Sequence, residues 1–188
     1  MGDPKKSRKK YARPTMQWNA KRIEEESALI EEYGLANARE VWKARAKLRQ
    51  IRSNARKLLA VGDAGKGTAK QILERAKRYG ILKPKEDRES TLDDLLALDV
   101  RDVLERRLQT RVYKKGLART IKQARQLIVH GYISINGKRV TVPGYLVPLS
   151  EEGSLGYYKS INIAPKLVEA EAGKKEGATG KEEGEMNG

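Results

Sequence analysis

Four aspartates fall close together in the chain, Asp93, Asp94, Asp99 and Asp102. Carboxylates at that density are the donor type a Mg²⁺ ion takes. Three of the four also suit the first turn or cap of a helix, where a negative side chain complements the backbone dipole. Capping is the expected role. A second candidate is "VGDAGKGTAK", with Gly62, Gly65 and Gly67 around Lys66. A phosphate-cradling loop needs glycine, four residues, then Gly-Lys-Ser/Thr, on a turn after a strand. Here Gly67 follows Lys66, Ala60 stands five before Gly65, and the upstream segment is patterned as a helix. The match fails on each count, and an inter-helix loop is expected instead. Thr68 and Gln71 are then expected to cap a helix that ends at Gly80. The third candidate is His130, the one histidine of a chain without cysteine. Disulfides, thiolate metal sites and any mechanism needing two imidazoles are thereby excluded. No nucleophile stands beside His130, so catalysis there is not expected. No catalytic residue, metal or cofactor is assigned.

What remains is positive charge. The 188 residues carry 40 Lys+Arg against 25 Asp+Glu, a formal net charge of +15. That excess predicts a polyanionic partner, and a nucleic acid fits better than a membrane surface. No apolar run approaches the roughly 18 residues that span a bilayer, and the N-terminus lacks a signal-peptide core. A soluble, intracellular chain is expected. Phenylalanine is absent and aromatics are 5% of residues, so broad stacking sheets are not expected and charge must carry most of the binding.

The elements that position this charge read from the N-terminus. "MGDPKKSRKKYARP" has no apolar period. It is either a solvated arm or, as the overall charge favours, an arm that folds onto phosphates through Lys5, Lys6, Arg8, Lys9 and Lys10. A helix is expected over Met16 to Tyr33, stopped by Gly34. Asn37 and Glu40 have capping-box spacing before a long helix whose stripe is Val41, Ala44, Leu48, Ile51, Ala55 and Leu58. Arg39, Lys43, Arg45, Lys47, Arg49, Arg52, Arg56 and Lys57 cover the rest, with Glu40 the one acid among them. A plain solvated face would mix signs, so RNA contact is the favoured reading, with Arg45, Arg49, Arg52 and Arg56 as candidates. "KPKEDRESTLDD" reads as a linker or domain edge, and Ser90 to Leu98 as a short helix.

Asp99 and Asp102 open "DVRDVLERRLQTRVYKKG", read as one helix closed by Gly116. Its ridge is Val100, Leu104, Leu108 and Val112, and Arg107, Arg111 and Lys114 are expected to project together on an adjacent face. Thr120, with Gln123 at N3, caps a second helix. Ile121, Ala124, Leu127 and Ile128 form its inner arc, while Arg119, Lys122, Arg125 and Gln126 form the outer one. Gly131 is the left-handed stop. "YISINGKRVTV" then alternates, with Ile133, Ile135, Val140 and Val142 as expected core and Asn136-Gly137 as a type I′ hairpin turn. Lys138 and Arg139 follow the turn, Pro143-Gly144 and Pro148 break the chain, and one more strand is expected over Tyr157 to Ile163. His130 is expected either to cap the helix end or to touch RNA. Two small basic helices pinned by a hairpin hold cations in a rigid array suited to a shape made of phosphates, which RNA helices and junctions present.

"LERRLQTRVYKKGLARTIKQARQLIVHGYISINGKRVTVPGYLV" resembles the S-four RNA-binding fold, in its Gln-Ala-Arg-Gln-Leu-Ile helix, His-Gly and Ile-Asn-Gly hairpin. "RKKYARP", "YGLANAREVWKARAKLRQIRSNARKLL" and "DVLERRLQTRV" resemble the archaeal and eukaryotic type of the small-subunit ribosomal protein S-four family. The short N-terminus and the lack of a basic C-terminal extension favour the archaeal type. The resemblance covers roughly residues 5 to 165. It implies an α+β, mainly helical chain with a basic arm and helical region over 1–98 and an S-four domain over 99–165; the Glu/Gly/Lys-rich tail over 166–188 lies beyond the resemblance and, with almost nothing to bury, is expected to be disordered. The resemblance also implies a primary small-subunit rRNA binder, cytoplasmic within the subunit. Such a protein would help nucleate assembly in the 5′ domain, lie near the channel by which mRNA enters beside other ribosomal proteins, and act in translational accuracy. Carried over position by position, Arg106, Arg107, Arg111, Arg119, Lys122, Arg125, His130 and Lys138 are expected rRNA contacts. The zinc-binding cysteines of many bacterial members are absent, and Tyr132 stands where a second histidine is common. An assembly or rRNA-processing factor with the same fold is the alternative. An RNA-modifying enzyme would need a catalytic domain for which the chain has no candidate segment.

Overall fold

The structure is a computed structural model, and it describes residues 9, 11–82 and 90–159. The cations Lys5, Lys6, Arg8 and Lys10, the centre of the linker, the end of the expected last strand and the tail lie outside the described residues.

Helix α1 spans Ala20–Glu32, starting later than Met16 because the Asn19 side chain caps it by accepting from the Arg22 N–H at 3.3 Å. Its end is set by Gly34 at φ +55°, which lets the Leu35 N–H reach back to the Ile30 carbonyl at 2.9 Å. Helix α2, Ala38–Val61, buries Val41, Ala44, Leu48 and Ala55 as the stripe predicts, with Ile51 and Leu58 partly covered. The expected capping box does not form: the Asn37 side chain makes no cap bond, and Glu40 is engaged elsewhere. The glycine-rich loop is a single 3₁₀ turn, Gly62–Gly65, and α3 runs Lys66–Arg78. Thr68 and Gln71 therefore lie inside α3, whose N-cap is Gly65. The chain can turn this early because Gly65 packs against Leu58 where a side chain would crowd it.

The aspartates cap helices. In α4, Leu92–Ala97, Asp94 accepts from the Thr91 N–H at 2.9 Å, and in α5, Val100–Glu105, Asp102 accepts from the Asp99 N–H at 2.7 Å.

The largest departure from the expected elements follows α5. The sequence pattern predicts one helix over residues 99–115, but the chain turns out of helix at Arg107 (φ −71°, ψ 143°) and restarts as α6, Leu108–Lys114. The segment around Pro143 to Val147 crosses this break. The carbonyls of Tyr145 and Pro143 accept the Leu108 and Gln109 N–H groups at 2.7 and 3.3 Å, and the Val147 N–H donates to the Arg106 carbonyl at 3.0 Å. The free donors of a new helix start are thus satisfied by backbone from far along the chain. The apolar ridge runs through the break but serves two cores. Val103 and Leu104 close a cluster built with Tyr33, Val41, Leu48 and Leu95, whereas Leu108 and Val112 join Ala124, Ile128, Ile133, Val147 and Leu155.

Helix α7, Ile121–Val129, starts at Thr120, whose hydroxyl accepts from the Gln123 N–H at 3.1 Å. The reciprocal bond shifts by one residue, with Gln123 Oε1 accepting from the Arg119 N–H at 2.8 Å. After Gly131 come β1, Ile133–Ile135, and β2, Lys138–Arg139, joined by Asn136 (φ +50°) and Gly137 (φ +74°), the two positive angles a type I′ turn requires. A short helix α8, Leu149–Glu152, leads to β3, Leu155–Tyr157, and the antiparallel sheet has the order β2-β1-β3. With strands on both sides, β1 buries Ser134 as well as Ile133 and Ile135. Val142, expected in the core, is exposed, because β2 ends at Arg139 and the chain leaves the sheet toward the α5–α6 break.

Candidate nucleic-acid interface

The cations that the sequence marks as candidates separate into two populations. The first is held inside the protein. Glu40, on the first turn of α2, receives Arg107 Nη2 at 2.9 Å and both terminal nitrogens of Arg125, at 2.7 and 3.1 Å. Burial pushes the Glu40 carboxyl up, but the hydrogen bond from Arg125 and the charge and hydrogen bond of Arg107 outweigh it and hold the pKa at about 2. Arg125 Nη1 also donates to Gln109 Oε1 at 3.2 Å, while Gln109 Nε2 donates to the Gly34 and Ile121 carbonyls at 2.8 and 3.1 Å. Gln109 is buried, and with Glu40 it joins the end of α1, the start of α2, α6 and α7.

A second carboxylate does the same work at the other side of the break. Glu152 of α8 receives Arg106 Nη1 at 3.0 Å and pairs with Arg111. Arg106 also donates to the Val147 carbonyl at 2.8 Å. Burial lowers the pKa of both guanidines, and the neighbouring Arg106 charge adds to the effect on Arg111. The expected common face of Arg107, Arg111 and Lys114 is therefore not formed: Arg107 goes to Glu40, Arg111 to Glu152, and Lys114 to Glu105 at 3.3 Å. Arg45 pairs with Glu26 at 2.7 Å, and Arg52 donates to the Leu98 carbonyl.

The second population faces outward. Arg49, Arg56, Lys122, Lys138 and Arg139 are exposed, as are Lys9, Arg39, Lys43 and Lys57. Arg119 is exposed on the turn before α7. Arg139 lies across Gly131, its Nη2 3.4 Å from the His130 carbonyl, and the His130 ring is 6.5 Å from that of Tyr132. His130 is exposed at the helix end, where it is its main-chain N–H, not its ring, that closes the last turn on the Gln126 carbonyl at 2.9 Å.

Three residues with structural work were not singled out in the sequence. Glu26 is buried in α1 and accepts from Arg22, Arg45 and the Trp42 indole at 2.8, 2.7 and 3.1 Å. Its spacing to Leu29, Ile30 and Tyr33 put it on the inner face, a signal available in the sequence. Lys115 donates to the carbonyls of Glu152, Gly153 and Leu155 at 3.3, 2.8 and 2.6 Å, neutralising the end of α8. Gln109 is the third, and no local pattern marks it.

Among the described residues no group of three His, Cys, Asp or Glu is placed to hold a metal, and no helix is long and apolar enough to cross a membrane. The arrangement presents cations on a stiff support.

The S4 domain family matches residues 106–152, from the α5–α6 break to the end of α8. The chain is similar along most of its length to proteins named small ribosomal subunit protein uS4. It is 48% identical over 177 residues to that of Saccharolobus islandicus, covering 92% of this chain and 96% of the other. The Methanothermobacter thermautotrophicus protein is 45% identical over 172 residues, 91% of this chain and 98% of its own. That of Methanocella arvoryzae is 49% identical over 178 residues, 90% and 85%. With identity of this order over about nine tenths of the chain, the chain belongs to the uS4 family of small ribosomal subunit proteins, in its archaeal type.

Proposed function

We propose that this chain is a structural constituent of the small ribosomal subunit that docks on small-subunit rRNA through its outward-facing cations. The observation that carries the reading is identity of 45–49% over about nine tenths of the chain to proteins of that name. The sorting of cations gives it a mechanism. Lys122, Lys138, Arg139, Arg119, Arg49, Arg56 and Lys9 meet phosphates, and the N-terminal Lys5, Lys6, Arg8 and Lys10 extend that contact. Arg106, Arg107, Arg111, Arg125, Arg45 and Arg52 fix the scaffold on which the others stand, and Lys114 lies between the two groups. His130 contacts RNA beside Arg139.

A prearranged cationic surface loses little conformational freedom on docking, which suits a protein that binds rRNA early and orders the 5′ domain. A place beside the channel by which mRNA enters, next to other ribosomal proteins, and an influence on accuracy belong to the same reading, as does a division into parts at 98/99 and 165/166. The two hydrophobic clusters part at the α5–α6 break, later than 98/99, because Val103 and Leu104 pack with the N-terminal cluster. Sedimentation of tagged protein from lysate tests the proposal. Unit stoichiometry in mature small subunits is expected. Presence only in precursor particles would favour the assembly-factor alternative.

A further inference from the structure

The chain has two tryptophans, and both line one surface recess in its N-terminal part. Trp18 is 90% exposed, the most open of the large apolar side chains in the described residues. Trp42 forms the inner wall, fixed by its indole N–H to Glu26 at 3.1 Å and covered on one side by Tyr11, ring centroids 6.1 Å apart. Arg13, Arg22 and Arg39 complete the lining with Pro14 and Gln17. Arg22 is spoken for, pairing with Glu26 at 2.8 Å and donating to the Gln17 carbonyl at 2.8 Å. Arg13 and Arg39 are exposed, and among the described residues neither makes an ion pair or side-chain hydrogen bond.

We infer that this recess binds a single unstacked nucleotide of the RNA, its base against the Trp18 indole and its phosphate on Arg13 and Arg39. The inference rests on the RNA-binding reading and adds a site to it, outside the matched S4 domain. A fully solvated indole is costly to keep, and flat π-surfaces flanked by guanidinium groups are what an unpaired base recognises. The one buried carboxylate near the recess, Glu26, is already neutralised by Arg22 and Arg45, so the rim stays positive. A protein partner would find two uncompensated guanidinium groups beside the apolar surface; a nucleotide matches both features at once.

The test uses the full chain and a transcript of small-subunit rRNA from an archaeon with a uS4 protein of this type. Binding is followed by filter retention, and Trp18 by the difference in emission between wild type and Trp18→Phe, with acrylamide as quencher. Bound transcript should quench the Trp18 emission and shield it from acrylamide. Trp18→Ala should bind roughly 5- to 150-fold more weakly, the range for losing one base–aromatic stack, while Trp18→Phe stays within a few-fold of wild type. Circular dichroism should be unchanged in both, since the side chain is solvated. Retention of transcript with unchanged Trp18 emission and full affinity of Trp18→Ala would overturn the nucleotide site and leave RNA binding intact. Trp18 shielded only in assembled subunits would assign the recess to a protein neighbour and overturn it as well. No retention at all would remove both readings.

Discussion

Glu40 illustrates how a single side chain can change the meaning of several others. Two guanidinium groups converge on it, one of them buried, so its removal strands charge in a poorly hydrated place. Glu40→Gln is expected to lower stability by on the order of 2–3 kcal/mol in urea denaturation. The pH dependence has a definite sign. A carboxyl with an ordinary value of 4.5 held at about 2 contributes stability above pH 4.5 and loses it as pH falls through about 2. The stability gap between wild type and Glu40→Gln should therefore close across that interval, and a gap constant with pH would count against the clamp. Arg125 and Lys122, on the same helix, should behave differently. Arg125→Ala is expected to cost stability, about 1–3 kcal/mol, along with RNA affinity, because its bonds to Glu40 and Gln109 go with it. Lys122→Ala should leave the denaturation midpoint within about 0.5 kcal/mol and reduce the salt slope of RNA binding by about one. Sequence alone does not separate these two residues. Both fall on the polar arc of α7, and the acid that claims Arg125 lies 85 positions away.

At the scale of elements, most local signals were legible. The Asn37-Glu40 capping box is lost because distant arginines claim Glu40, and Thr68 and Gln71 fall inside α3 because the helix starts at Lys66. The α2 stripe, the Thr120 cap, the Asn136-Gly137 turn and the glycine stops depend on neighbours a few residues distant, and each forms where its pattern falls. The α5–α6 break was not legible, because Val100, Leu104, Leu108 and Val112 keep an unbroken helical period across it. What interrupts the helix is competition from the Pro143–Val147 backbone, a tertiary effect on groups that would otherwise bond within one helix. Val142 reads as core for the complementary reason: alternation continues on paper after the strand has stopped. The glycine stop of α1 makes a sharp element-scale prediction. Gly34 sits at φ +55°, and a Cβ there would lie 2.6 Å from Ile121 Cγ2 and 3.1 Å from Gln109 Nε2. Gly34→Ala combines left-handed backbone strain with a clash against a stiff branched side chain. A loss of roughly 2–4 kcal/mol is expected from denaturant titration, with α7 amides near Ile121 exchanging faster.

For the whole molecule, the relevant quantity is the number of phosphates met by the outward set. If about 8 are contacted, log affinity for small-subunit rRNA should fall with log salt at a slope of about −5 to −7. A slope near zero in filter binding would refute an electrostatic dock. The charge balance of the chain overstates what is free for that purpose, since much of the arginine is consumed by Glu26, Glu40 and Glu152. Composition foretold the sign of the partner's charge, and the distribution between scaffold and surface needed the fold.

The strap over the α5–α6 break also fixes an order of birth. Residues 106–111 cannot complete their bonds until Pro143, Tyr145, Val147 and Glu152 have been synthesised, so a nascent chain halted before residue 143 holds a finished N-terminal half beside an unfinished one. Each copy of this protein must therefore be translated nearly to its last strand before the S4 domain can close, and Arg106 and Arg111, whose carboxylate partner Glu152 is made late, are exposed to any nearby polyanion during that wait.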